Sequence, residues 1–461
     1  MNNSKFTTPK GTKLPKCRKR LSADALINML HSEFAKFPEV RSGNVKIPLQ
    51  DALMSGYAVF ALKDSSLLDF DRRRKEEDPN LKRVFGLSQV PCDTQLRAIL
   101  DKVNPELLRR IYKRVFARLQ RGKALEQMRF LDNYYLISGD GTGYYSSQKV
   151  VNSQCQEKKS SSTGEITYYQ QCYAASLVNP NFHEVIPLFP EPMIKQDGQT
   201  KNDCERNASR RFMEGFRKDH PHLPVVILED ALHSNAPHIR DLQRHNLRFI
   251  IGAKQSDHKH LFRQADLAEK EGRAVSLTLN DPKNPRIKHY FFFVNDLPLN
   301  KTNPDLRVNF LQYWEIHLDE NGNEIKDKQK EFSWVTDLEI TVDNVMELMS
   351  GARSRWRIEN ETFNTLKNQG YHLEHNFGLG KEHLSIVFLN LTMLAFLVDQ
   401  VQQLCCGLFR AAWGKAGSKK ALREKIRAFF LCYELDSMTA VYKAIYFGVT
   451  RVALTEIMNS T

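Results

Sequence analysis

The chain has 461 residues, 41% hydrophobic and 26% charged, enough for two to four domains around at least one sizeable core. With 67 Lys+Arg against 54 Asp+Glu its formal net charge is +13, a surplus that favours polyanionic partners because each neutralised phosphate releases a condensed counterion. The eight cysteines are scattered without a CxxC pair, which argues against a zinc site or a disulfide framework and for a reducing cytoplasm. The N-terminus is polar and basic, with no apolar core of a secretory signal. The longest apolar run, Ile386 to Val401, is broken by Asn390, Thr392 and Asp399 and reads as a buried helix, with no membrane partner.

In chain order, residues 1–20 carry Lys5, Lys10, Lys13, Lys16, Arg18, Lys19 and Arg20 without an acid, and read as a flexible basic arm. Residues 21–125 have helical apolar spacing, as in Leu96-Ile99-Leu100-Val103, and suggest a helical DNA-binding region. Within it the run from Asp71 to Asp78 reads as a solvated loop, and Asp93 or Thr94 as the N-cap of the following helix. From residue 130 the texture is β-rich. Tyr134 to Asp140 reads as a strand ending in an acid, Gly141-Thr142-Gly143 as a turn, Tyr144 to Val151 and Ile166 to Val178 as further strands. A helix is expected near 203–217, then the apolar strand Val225 to Asp230, a helix near 237–244 and a strand at 249–253. That order is the order of an RNase H-like fold, a mixed α/β sheet flanked by helices, over 126–265 and 346–400. Residues 266–345 read as a β-rich insertion, with a hairpin signal at Asn321-Gly322. The chain is helical again from Val342, apart from the loop 370–381, and 401–461 reads as a helical C-terminal region.

Phosphodiester chemistry by the two-metal route needs oxygen ligands on a rigid frame, with the ions roughly 3.5–4 Å apart. Asp140 and Asp230, each closing an apolar strand, suit it; the plainer reading of either alone is a turn cap. At roughly 100° per residue, helical geometry from Arg355 to Lys367 sets Glu359 on the arc of Trp356, Phe363 and Leu366, and Glu361 on the solvent side. A salt bridge from Glu359 to Arg355, one turn earlier, is the competing role. His372, Glu374, His375 and His383 fit no standard zinc spacing. Glu205 opens the helix before Asp230 as a possible supporting acid, with Asn202 or Asp203 as simple caps.

The segments YLISGDGT, VVILEDAL and RWRIENETFNTLK together resemble the DDE transposases of bacterial insertion sequences, over roughly residues 85–400. The last is similar to that family's Tyr/Arg/Glu/Lys box. Arg355 and Glu359 match it, whereas Ala352 stands at the Tyr position and Lys367 falls one residue late. The resemblance implies a metal-dependent enzyme that cuts transposon ends and joins them to target DNA. Asp140, Asp230 and Glu359 would hold two Mg²⁺ or Mn²⁺ ions, one activating the water or 3′-hydroxyl nucleophile and one stabilising the departing oxygen. It further implies double-stranded DNA as partner, phosphate contacts from Arg355, Arg357, Lys367 and Lys254, an aromatic such as Trp334 to stack a displaced base, and a homodimer on DNA at the nucleoid. An RNase H-like nuclease without strand transfer, and an inactive DNA-binding remnant of a mobile element, are the alternatives.

Overall fold

The structure is a computed structural model that describes residues 18–131, 133–195 and 202–449; most of the basic arm lies outside these residues. The chain folds as two compact units. The first runs up to Glu126 and takes in Tyr144–Tyr169 and everything from Asn364 on; the second comprises Gln127–Gly143 and Gln170–Phe363.

The first unit joins helical segments from both ends of the sequence. Its central helix, Leu384–Cys405, is longer than the expected 386–401 and has the length and composition to cross a membrane, yet nearly all of it is buried. Its polar interruptions are accounted for inside the unit: the side chain of Asn390 donates to the carbonyl of Ile386, and that of Thr392 to Phe388. It packs on the helix Leu49–Ala61, where Gly56 meets Leu391. Asp101 closes its N-terminus by accepting the backbone N–H groups of Lys381, Glu382, His383 and Leu384, four donors that the helix itself cannot satisfy. Burial alone would raise that carboxyl; the four amides bring it below the usual range. Asn80 ties the two ends together, donating to the carbonyls of Phe430 and Tyr433 and accepting from the amide of Leu435. The charge run 71–78 is not a solvated loop. It belongs largely to the helix Leu67–Lys75, where Arg72 and Lys75 stay exposed as a solvated face while Arg73 is buried and neutralised by Asp64 at 3.0 Å and Asp78 at 3.4 Å. The helix Asp93–Leu100 starts earlier than expected because Gln95 accepts the Cys92 amide. Among the described cysteines, Cys406 is disulfide-bonded; Cys92, Cys155, Cys172, Cys204, Cys405 and Cys432 are thiols.

The strands are β1 (Arg129–Phe130), β2 (Tyr134–Ser147), β3 (Gln156–Lys159), β4 (Ile166–Asn179), β5 (Phe182–Pro187), β6 (Glu191–Met193), β7 (Val225–Glu229), β8 (Arg248–Gly252), β9 (Val275–Asn280), β10 (Ile287–Asn300), β11 (Asn303–His317) and β12 (Lys330–Thr336). In the second unit they form a mixed sheet in the order β4-β2-β7-β8-β12-β11-β10-β9, consistent with the RNase H-like expectation. β2, β7 and β8 run parallel, and all five residues of β7 are buried, as a strand covered on both faces requires. The helices Glu205–Asp219 and Ala236–Arg244 connect them. The β-rich insertion is an antiparallel meander that continues the same sheet, β12 pairing with the open edge of β8 through Trp334–Gly252. A helix at Lys259–Lys270 precedes it, seated on β10 and β11 by Phe262, whose ring meets Phe310 edge-on at 4.9 Å.

β2 differs from expectation. It passes through Asp140 as one strand, with no turn at Gly141–Gly143 and no left-handed glycine there. Gly139 and Gly141 serve close approach instead. A Cβ on Gly139 would fall inside the phenol of Tyr173, and one on Gly141 would stand 2.6 Å from a carboxylate oxygen of Glu205.

Candidate active site

The parallel register of β2 and β7 is Tyr135–Val225, Leu136–Val226, Ile137–Ile227 and Ser138–Leu228. Carried two residues further, the same offset sets Asp140 level with Asp230. Asp230 stands just past β7 as the cap of the short helix Ala231–His233, accepting the Leu232 amide at 2.9 Å, with its side chain 48% exposed. Asp140 is more enclosed and accepts the Gly141 amide at 2.8 Å.

Glu359 approaches from the segment after the helix Val345–Arg353. The hydroxyl of Ser138, two residues before Asp140, donates to the carbonyl of Arg355 at 2.9 Å and ties that segment to β2. The Arg355 guanidinium then bridges the acids, 3.4 Å from Asp140 and 3.1 Å from Glu359. Its other face lies over the Trp356 ring, 4.7 Å from the centroid. The expected uniform α-helix is absent here. Ser354–Trp356 is a tight 3₁₀ turn and Ile358–Phe363 a π-helix, a departure common at functional positions. The wider turn changes which residues share a face, so the expected contrast of buried Glu359 and solvated Glu361 is corrected. Trp356 is 48% exposed, Glu359 is 38% exposed, and Glu361 is the more enclosed of the two acids at 21%, held by Arg357 and by His183 at 2.7 Å.

Behind the acids lies a buried polar cluster. Glu229, the last residue of β7, accepts from Tyr173 at 2.7 Å and Ser209 at 2.8 Å, and pairs with His238 at 2.5 Å. His233 is almost fully buried and stands 3.4 Å from Asp230. Burial would push the Glu229 carboxyl up, but His233 and His238 hold it well below the usual range. Burial opposes charge on His233 as well; Glu229, Asp230 and Glu205 overcome it and raise the imidazole to about 9. Asp230 is lowered, first by the His233 contact. Asp140 is raised by burial, and the charges of Glu359 and Asp230 add to this against Arg355 and the Gly141 amide. Glu205 is raised to about 7 by burial and by Asp140. Sequence reasoning missed His233, Glu229 and His238. The signal available was the spacing Asp230-x-x-His233, one short turn past the strand.

Glu205 and His233 both bind a proton more tightly folded than unfolded. Their stabilisation is complete below the unfolded value and is lost as pH rises through the folded one. The windows run from 4.5 to about 7 for Glu205 and from 6.5 to about 9 for His233. Without divalent cations, the thermal unfolding midpoint should therefore fall from about pH 5 to about pH 9. Glu205→Gln should flatten the lower half of that fall; an unchanged slope there contradicts the assignment.

The other predicted contacts are dispersed. Arg357 reaches the Pro180 carbonyl and Glu361. Lys367 belongs to the first unit, paired with Glu374 at 2.8 Å. Lys254 is exposed two residues beyond Gly252, whose Cα faces the Ala231 backbone. Trp334 is only 7% exposed and stacked on Phe332 at 5.6 Å, so its ring faces are taken by packing and it offers no platform to a base. Trp356 is the exposed ring beside the acids.

Among the described residues no group of three or more His, Cys, Asp or Glu stands ready to hold an ion, and the histidines at 372, 375 and 383 form no such group. The donor set at the acids nevertheless fits a hard divalent cation. Asp140, Asp230 and Glu359 offer only oxygen, and burial, with a smaller push from the Glu359 and Asp230 charges, raises Asp140, a strain that positive charge relieves. Arg355 supplies part of that charge now. Residues 144–397, more than half the chain, match the transposase DDE domain family; the match begins just past Asp140 and includes Asp230 and Glu359. No curated protein matches the chain.

Proposed function

This chain belongs to the DDE transposases, DNA-acting enzymes of insertion sequences, and on that premise we propose that Asp140, Asp230 and Glu359 are its catalytic carboxylates. The observation that carries the reading is the common level of Asp140 and Asp230 on parallel strands, with Glu359 joined to Asp140 through Arg355. The three acids would hold two Mg²⁺ or Mn²⁺ ions, which supply an activated hydroxyl nucleophile and neutralise the departing oxygen. Arg355 orients the carboxylates and is placed to pass its charge to a DNA phosphate once a cation takes its place between them. Lys254 is exposed for a phosphate contact on the β8 side, where a basic group positions the backbone without reading sequence. Arg357 and Lys367 would contact phosphate only by giving up Glu361 and Glu374. Cleaving two transposon ends in concert calls for a dimer on DNA, with the second unit cutting and the helical first unit gripping. These roles suit a protein working at the bacterial nucleoid.

The test is a supercoiled-plasmid assay with pre-cleaved transposon ends and Mg²⁺ or Mn²⁺. Joined product that disappears on adding a chelator is expected. Nicking without joining would leave an RNase H-like nuclease, and no reaction under any condition an inactive remnant.

A further inference from the structure

Asp230 projects beyond its strand, where backbone pairing no longer fixes it, and half of its side chain is in solvent. Two groups orient it: the Leu232 amide and the Nδ1 of His233 at 3.4 Å. The His233 ring is 1% exposed. Its Nε2 has no hydrogen-bond partner and stands 3.8 Å from both Glu205 and Glu229. The ring packs beside Tyr173 and His238, the groups that hold Glu229. Filling this space alone would favour an apolar side chain, because a buried nitrogen without a partner costs free energy. We propose that His233 is a positioning residue of the catalytic site, seated against the Glu229 cluster so that its Nδ1 sets the direction of the Asp230 carboxylate.

This rests on Asp230 being a catalytic ligand. His233 itself touches neither DNA nor reacting atoms, so its loss should lower kcat and weaken cation binding while leaving the KM for DNA unchanged. Groups that orient metal-binding carboxylates typically matter by about 10–100-fold. The experiment uses the full chain, with cleavage and Mn²⁺-dependent thermal shift measured for wild type and for His233→Leu, His233→Asn, His233→Gln and Asp230→Asn. Asparagine places an amide nitrogen near the Nδ1 position, glutamine near Nε2. The leucine and glutamine variants should lose 10–100-fold in kcat and most of the Mn²⁺ stabilisation, and asparagine should restore both. Wild-type rates in the leucine variant, rescue by glutamine in place of asparagine, or a raised KM at unchanged kcat each overturn the proposal. Should the leucine variant fail to fold, the contrast between asparagine and glutamine decides. An active Asp230→Asn would instead sink the underlying site assignment, whereas an inactive one beside fully active His233 variants sinks this inference alone.

Discussion

Asp140→Asn should lower DNA strand cleavage by about 10³-fold or more, equivalent to about 4 kcal/mol of transition-state stabilisation, without lowering the thermal unfolding midpoint. The two halves of this expectation have one cause. The Asp140 carboxylate sits in a desolvated place beside two other acids, and its charge is held there against its own preference. An amide keeps the shape and an oxygen to accept the Gly141 amide but removes the buried negative charge, so the fold loses a repulsion as the site loses a ligand. Arg355 retains Glu359 as a partner. Parallel plasmid cleavage and thermal melts check both. A variant with more than a tenth of wild-type cleavage removes Asp140 from the catalytic set. An inactive variant that melts well below wild type shows instead that Asp140 holds the strand.

The second large effect is on stability. Gly139→Ala should destabilise the second unit by about 4 kcal/mol, the sum of an overpacked contact and a broken hydrogen bond to a buried carboxylate. The added methyl occupies the space of the Tyr173 phenol, and Tyr173 cannot retreat without leaving Glu229. A drop in melting temperature on the order of 10 °C follows for a unit of this size. Gly143→Ala is the matched control: its Cβ meets nothing within 4 Å and its backbone lies outside the left-handed region, so its midpoint should stay near wild type. Equal melting of the two variants contradicts the assigned role of Gly139.

Gly139 and Gly141 also show where sequence reading stops. The β7 strand was legible from its apolar run, as were the helices that lead into β7 and β8, because hydrophobic pattern reports burial directly. Gly-Thr-Gly after Asp140 carries the signal of a turn, and composition cannot distinguish a glycine needed for conformation from one needed for room. That difference lies in Tyr173 and Glu205, residues remote in sequence. The segment around Glu359 fails for a related reason. Its residues suit a regular α-helix, and only the tie from Ser138 to the Arg355 carbonyl and the packing of Ile358 and Phe363 accompany the wider turn that exchanges the exposures of Glu359 and Glu361. Asp140, Asp230 and Glu359 could be nominated from motif and resemblance, but the buried Glu229 cluster could not, since its members look like ordinary strand and helix residues until the fold assembles them.

Asp140 and Asp230 owe their spacing to four residue pairs on adjacent strands and nothing to the length of chain between them. Segments inserted or lost between β6 and the helix Glu205–Asp219 can therefore drift through evolutionary time without moving either acid, provided β2 and β7 keep step. A slip of one residue in that pairing is a different matter. It would turn one carboxylate to the opposite face of the sheet, and a chain with every proposed catalytic residue present would be inert.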